Sequence, residues 1–189
     1  IVCGYGEILK HSIIGNKKFY NFLNNHKNKI LNLTSPFLEK AIYESCKIKK
    51  AVVEKDEKEK GLRKILNFGH SFAHAYEATL GFSKKLNHGE AVILGMKTAL
   101  NFSLKTKFMN IREYYSIIDH IDNSDLPSSV SKFFGPKDVN KILSFMAKDK
   151  KNKSNNISLV LLKKIGAPMI NKEYSKKKIG LFLKIFLRN

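Results

Sequence analysis

The sequence predicts a mainly α fold with at most a small β-hairpin near residues 157–170, and three observations predict it. Apolar residues recur at helical spacing through most of the chain. Start signals of helices punctuate it, as at Ser35-Pro36 and at Asn87 with Glu90 three residues on. Strict alternation suited to a strand is confined to Ile157–Leu162. With 189 residues, 43% of them hydrophobic and 27% charged, the chain has the composition of one globular domain over 1–189 with a real core.

In order, residues 4–14 read as a short helix, and Phe19, Phe22 and Leu23 as an amphipathic turn or two. Asn24 to Asn32 is polar and reads as a loop. Ser35 is placed as an N-cap, with Pro36 at the first helical position. The helix it opens carries Leu38, Ile42, Ser45, Cys46, Lys49 and Val53 on one face, which sets Lys49 on a core-facing stripe. Residues 53–61 form a charged connector. Gly61 to Gly81 reads as one central helix, apolar nearly all round through Leu62, Ile65, Leu66, Phe68, Phe72, Ala75, Tyr76 and Leu80. Asn87 caps the next helix, which is apolar on most sides and belongs in the interior. Residues 111–123 and 136–147 are two amphipathic helices divided by Leu126-Pro127 and Gly135-Pro136. Asp149-Lys150-Lys151 leads through a polar turn to the strand, and Ser175 to Leu187 closes the chain as a helix.

Charge and composition narrow the partners. The net charge of +19 comes from 35 basic and 16 acidic residues, a balance that can serve nucleic acid or an anionic surface. Only Arg63, Arg112 and Arg188 are arginines, however, and arginine does most bidentate base and phosphate recognition, which argues against a dedicated nucleic-acid reader. Solvated lysine faces are the plainer account, and they would still draw in small anions. No apolar run is long enough to cross a membrane, and the N-terminus is not a signal peptide. The chain does not begin with methionine, and its start is expected to lie upstream of Ile1. Cys3 and Cys46 form no disulfide framework, and reduced thiols in a cytoplasmic compartment are expected.

The chemistry concentrates in the central stretch. Arg63, Asn67, His70, His74 and Glu77 follow at spacings of four, three, four and three, which at about 3.6 residues per turn would line one face of a helix. A polar stripe on an otherwise apolar helix needs partners, a ligand or a metal. Glu7, His70, His74, Glu77 and His88 are the candidate metal ligands. Spacing alone favours His70 and His74 with His88 as the third, although residue 71 is serine and no HExxH pattern exists. An isolated HxxxH is more often a pair of satisfied core histidines; the Arg, Asn and Glu on the same stripe move the balance towards a site. Gly4-Tyr5-Gly6 lacks the third glycine of a dinucleotide fingerprint, and neither a P-loop nor a GxSxG is present.

The blocks GEILK (6–10), IKKAVVEKDEKEKGLRKILNFGHSFAHAYE (48–77) and NHGEAVILGM (87–96), with DKK at 149–151 before a short strand, resemble the C-terminal half of 3-dehydroquinate synthase in order and spacing. The resemblance covers essentially the whole chain. It implies the helical domain of the dehydroquinate synthase-like fold and conversion of the seven-carbon sugar-acid phosphate DAHP into 3-dehydroquinate, by transient oxidation, phosphate elimination, reduction and aldol closure in the shikimate pathway. It implies NAD and a divalent metal as cofactors, zinc first and cobalt second. The implied metal ligands are Glu7, His70 and His88, which moves His74 to the substrate side. Lys10, Lys49, Arg63, Asn67, His74 and Lys150 match positions that contact the substrate's carboxylate or phosphate, and Glu59 matches one that helps proton transfer. A homodimer is implied for the full-length protein, with an N-terminal NAD-binding Rossmann-like domain outside this chain; without that half, activity is not expected. Three departures stand out: Ala73 replaces a usual glycine, His11-Ser12 a usual Tyr-Gly, and Asn16 a common aspartate.

The rivals are another sugar phosphate cyclase on the same scaffold, and a lysine-rich nucleic-acid-binding domain that has lost catalysis. The first differs only in substrate. The second predicts steeply salt-dependent binding and leaves the polar stripe unexplained.

Overall fold

The computed structural model describes residues 2–124, 126–127, 129–148 and 156–188. The fold is mainly helical, as the sequence predicts, and its order is α1 (Val2–Gly15), α2 (Lys17–Leu31), α3 (Phe37–Lys55), a 3-10 segment (Leu62–Asn67), α4 (His70–Thr79), α5 (His88–Lys105) and α6 (Ile111–Asp122). Two short 3-10 turns then precede α7 (Val139–Lys148), followed by β1 (Asn156–Lys164), β2 (Ala167–Ser175) and α8 (Lys176–Phe186). The strands pair antiparallel, and the hairpin runs further than its sequence signal, to Ser175. Ile157, Leu159 and Leu161 alternate inward, which is the pattern of a half-buried strand.

The packing hub is α5, not the 61–81 stretch. It lies against α1, α4, α6 and β1, and buries Ala91, Val92, Ile93, Leu94, Met96, Ala99, Leu100 and Phe102. A helix apolar all round has no solvent face, so its neighbours must wrap it. Its start follows the sequence signal: the Asn87 side chain accepts from Glu90 N–H, and the Glu90 carboxylate accepts from Asn87 N–H.

Four sequence expectations need correction. The segment 24–32 is helical, since α2 continues to Leu31 through a kink at His26. Phe19, Tyr20, Leu23 and Ile30 form its buried face, so the asparagines and lysines are its solvent side and not a loop. Ser35 does not cap α3; Pro36 occupies the cap position, and Thr34 O accepts from the amides of Phe37 and Leu38 instead. The buried face of α3 is Ala41, Ser45 and Val52, which turns Ile42, Cys46 and Lys49 outward. The supposed cost of a core-facing Lys49 therefore does not arise.

The fourth correction concerns the central stretch, which is broken in two. After the 3-10 segment the chain turns at Gly69, with φ +80°, before α4 begins. Only glycine suits this point, because the conformation is left-handed and a Cβ would lie 2.7 Å from the backbone nitrogen of Met96. The polar residues thus occupy two short elements separated by this turn. Ala73, the departure with the extra methyl, is fully buried beside Gly95, where a Cβ on the glycine would stand 2.3 Å from Gly69 O. Among the described residues, no helix is long and apolar enough to cross a membrane.

Candidate metal centre

Two helix starts and a helix face deliver the site. Glu7 lies midway along α1, His70 is the first residue of α4, and His88 is the first residue of α5. The starts of α1 and α5 touch closely: a Cβ on Gly89 would fall 2.1 Å from Cys3 Cα, and Gly89 N–H donates to Cys3 Sγ. That contact brings Glu7 to the same end of the bundle as His88. One ligand atom each from Glu7, His70 and His88 lies within 4.8 Å of the other two. Glu7 Oε1 stands 3.7 Å from His70 Nε2, a separation a cation about 2.0–2.2 Å from each donor can bridge. One carboxylate and two imidazoles are the donor set that zinc and similar divalent ions take, so the residues fit such an ion. His74 is outside this group, although its ring centroid lies 5.4 Å from that of His70 and 6.2 Å from that of His88. The choice made from spacing alone is therefore not the set the fold brings together, because α4 starts only at His70 and the third donor arrives from α1.

Beside the three donors lies an open polar cavity of about 230 Å³, which Glu7 and His70 share. Lys10, Lys49, Glu59, Arg63 and Asn67 also line it. These are residues of four separate stretches, from α1, α3, the connector and the 3-10 segment. The Lys10 ammonium donates to both Glu7 oxygens, at 2.8 and 3.0 Å. Asn67 Nδ2 donates to Glu59 Oε1 at 2.8 Å, and Arg63 Nη1 donates to Glu57 O at 2.7 Å. The connector is tied by Asp56, whose carboxylate accepts from the amides of Lys60, Gly61 and Arg63. His74 lines a separate cavity of about 330 Å³ with Ser71, Phe82, Phe145, Met146 and Lys148. Lys150 lies outside the described residues.

Burial would raise the Glu7 carboxyl, but the charge and hydrogen bond of Lys10, with His70 and His11 nearby, more than offset it and hold the group below the ordinary carboxylate range. Burial lowers Lys10, against the pull of Glu7. Burial, reinforced by the Lys10 charge, lowers His70 to about 4, so its ring is neutral at neutral pH, as a metal ligand must be.

His11 is a residue the motif reading passed over as a mere departure. It is buried, lines the polar cavity, meets Ser45 Oγ through Nδ1 at 2.7 Å, and holds Nε2 3.9 Å from Glu7 Oε2. Its place four residues after Glu7 on α1 was the available signal.

A family model described as 3-dehydroquinate synthase C-terminal matches residues 4–152. The 3-dehydroquinate synthase of Pelagibacter ubique (strain HTCC1062) is 60% identical over 184 residues, covering 97% of this chain and 50% of that protein. The 3-dehydroquinate synthase of Endomicrobium trichonymphae is 41% identical over 166 residues, covering 86% of this chain and 44% of that protein. Among solved structures, 2-epi-5-epi-valiolone synthase from Streptomyces hygroscopicus subsp. jinggangensis, with NAD+ and Zn2+ bound, aligns at a TM-score of 0.82 and 18% identity, covering 99% of this chain and 51% of that one. A 2-deoxy-scyllo-inosose synthase complexed with carbaglucose-6-phosphate, NAD+ and Co2+ aligns at a TM-score of 0.80 and 23% identity, covering 98% and 51%. At such identities the structural likeness speaks for the fold. The chain spans about half the length of the curated relatives it matches. By the reach of the family model and by relatives that match across nearly all of its residues, this chain belongs to the 3-dehydroquinate synthase C-terminal family.

Proposed function

We propose that this chain is the metal- and substrate-binding half of a 3-dehydroquinate synthase, which converts DAHP into 3-dehydroquinate and phosphate. The observation that carries the reading is the convergence of Glu7, His70 and His88 beside a polar cavity rimmed by Lys10, Lys49 and Arg63. Glu7, His70 and His88 would hold a divalent metal, zinc first and cobalt second, as the ions named with the two structural neighbours support. When bound, that ion polarises substrate hydroxyls and eases their ionisation, while NAD, held by the part of the protein outside this chain, accepts and returns the hydride.

The chain's own side chains supply charge and position. Lys10, Lys49 and Arg63 offset the carboxylate and phosphate of the substrate, with Lys150 of the DKK motif as a further cation. Asn67 holds the Glu59 carboxylate by a hydrogen bond, which orients it as the group that moves a proton. His74 stands beside the two ligand rings, and its role is to contact the substrate where it extends past them. A neutral His70 needs no proton loss before it ligates. We further propose a single helical domain over 1–189, a soluble cytoplasmic setting and a homodimer in the full-length protein.

The test uses the full-length protein that contains this chain, supplied with NAD and zinc. Phosphate release is expected from DAHP and not from a heptulose phosphate or glucose phosphate that lacks a carboxylate. Release only from a sugar phosphate without a carboxylate would transfer the assignment to another cyclase of this scaffold. Salt-sensitive DNA binding without bound metal would instead support the nucleic-acid reading.

A further inference from the structure

We infer that Glu77 is a positioning residue of the metal centre: it accepts the hydrogen bond of His88 Nδ1–H and so fixes which nitrogen of that ring is free to ligate. The inference rests on the metal reading above. His88 needs such a device more than His70 does. Its side chain is 51% exposed, against 14% for His70, so packing does little to hold the ring. It is the first residue of α5 and leans on the rings of His70 and His74, which fix neither its rotation nor its tautomer.

The polar contact it makes is with Glu77 Oε1, at 3.1 Å from Nδ1. A carboxylate only accepts, so Nδ1 must carry the proton and Nε2 is left with its lone pair. Glu77 is well placed to impose this. Its side chain is 13% exposed, and it sits on α4, whose backbone is locked to α5 by the tight contact of Gly69 and Ala73 with Gly95. The carboxylate is therefore presented from a backbone that is fixed relative to the helix carrying the ring.

His70 is set up by a parallel but weaker arrangement. Its Nδ1 faces Phe68 O at 3.3 Å, and its Nε2 is the nitrogen directed at Glu7. The two rings thus leave the same nitrogen free for the same reason, one through a backbone carbonyl and the other through a carboxylate. A carboxylate partner also makes the imidazole a better donor to the metal, a kind of support whose removal typically costs about 10–100-fold in affinity.

The test compares Glu77→Ala and Glu77→Gln in the full-length protein. Zinc affinity is read by chelator competition, and the tautomer of His88 by long-range proton–nitrogen correlation in zinc-free protein. For Glu77→Ala we expect zinc affinity to fall about 10–100-fold. The zinc-free His88 ring should move from the Nδ1–H towards the Nε2–H form. Glu77→Gln, which keeps a carbonyl acceptor, should fall less and retain the Nδ1–H form. Wild-type affinity and an unchanged tautomer in Glu77→Ala would overturn the inference and leave the metal site standing. Loss of zinc in both variants as complete as in His70→Ala would overturn it too, by making Glu77 a ligand. A wild-type protein that holds no zinc would refute the metal reading itself.

Discussion

Two histidine clusters sit about α1, and they are built to opposite ends. At one, His120 of α6 is 1% exposed and both ring nitrogens are engaged, Nε2 with Tyr5 OH at 2.8 Å and Nδ1 with Asn24 Oδ1 at 3.0 Å. The ring also stacks on Tyr5 and tilts against Tyr20. At the other, His70 and His88 each commit Nδ1 to an oxygen, while His70 Nε2 looks across 3.7 Å towards Glu7. The first ring is saturated by the protein and joins three helices. The second pair keeps donor capacity facing a shared space. A histidine is thus marked as structural or ligating by the use of its second nitrogen, more than by burial.

The sharpest way to break that contrast is to remove one ring from each cluster. His70→Ala should reduce bound zinc in the full-length protein from near one ion per chain to near none and abolish phosphate release, whereas His120→Ala should leave zinc content intact. Metal analysis by mass spectrometry decides it; zinc loss in both variants would erase the distinction. His120→Ala should act on stability instead, by about 3 kcal/mol, since it opens a cavity and strands the buried Tyr5 hydroxyl. A shift in the urea midpoint measures this.

A comparable structural cost is expected where α4 and α5 meet, without touching any histidine. In Gly95→Ala the new methyl meets the backbone of the first turn of α4, Gly69 O at 2.3 Å and Ala73 N at 2.9 Å. Neither can give way cheaply, so a loss of roughly 3 kcal/mol is expected, with weaker zinc binding because His70 is displaced. An unchanged melting temperature would mean that the two helices are not held at this point.

The pH response sharpens the comparison further. Burial, with Lys27 adding to it, lowers His120 to about 4, below the ordinary histidine value of 6.5. Between those values the unfolded chain takes a proton that the folded chain refuses. The stability contribution is therefore whole above about pH 6.5, declines as pH falls from there to about 4, and is flat below. His11 and His70, both lowered chiefly by burial, act in the same direction. Urea midpoints of zinc-free protein across this range should fall less steeply in His120→Gln; parallel curves would show that His120 titrates normally.

The smallest effect is expected at the cap of α5. Asn87→Ala removes the acceptor for Glu90 N–H at the turn that presents His88, and should cost about 1 kcal/mol with little change in zinc content. A thermal melt beside a metal assay separates the two readouts.

Read from the sequence alone, the helical class, the Asn87–Glu90 cap and the buried character of 88–105 were all available, because each depends on residues within a turn or two of one another. The motif blocks identified the family by the same local means. Ser175 and the strand at 157–162 were legible too. What misled was also local: the asparagines of 24–30 look like a loop only until Leu23 and Ile30 find a core to face. Likewise, Lys49 looks inward-facing until Ala41, Ser45 and Val52 prove to be the packed side of α3.

Only the tertiary structure decided where the polar residues of the central stretch go. Gly69 turns the chain where α5 presses against it, and the continuous stripe becomes two pieces facing a common space. Spacing along one helix could pair His70 with His74, but it could not bring in Glu7, 63 residues earlier. The physical reason is that periodicity orders side chains on one element, while a ligand set is a meeting of several. That meeting is fixed by close packing between α1, α4 and α5, which no single element encodes.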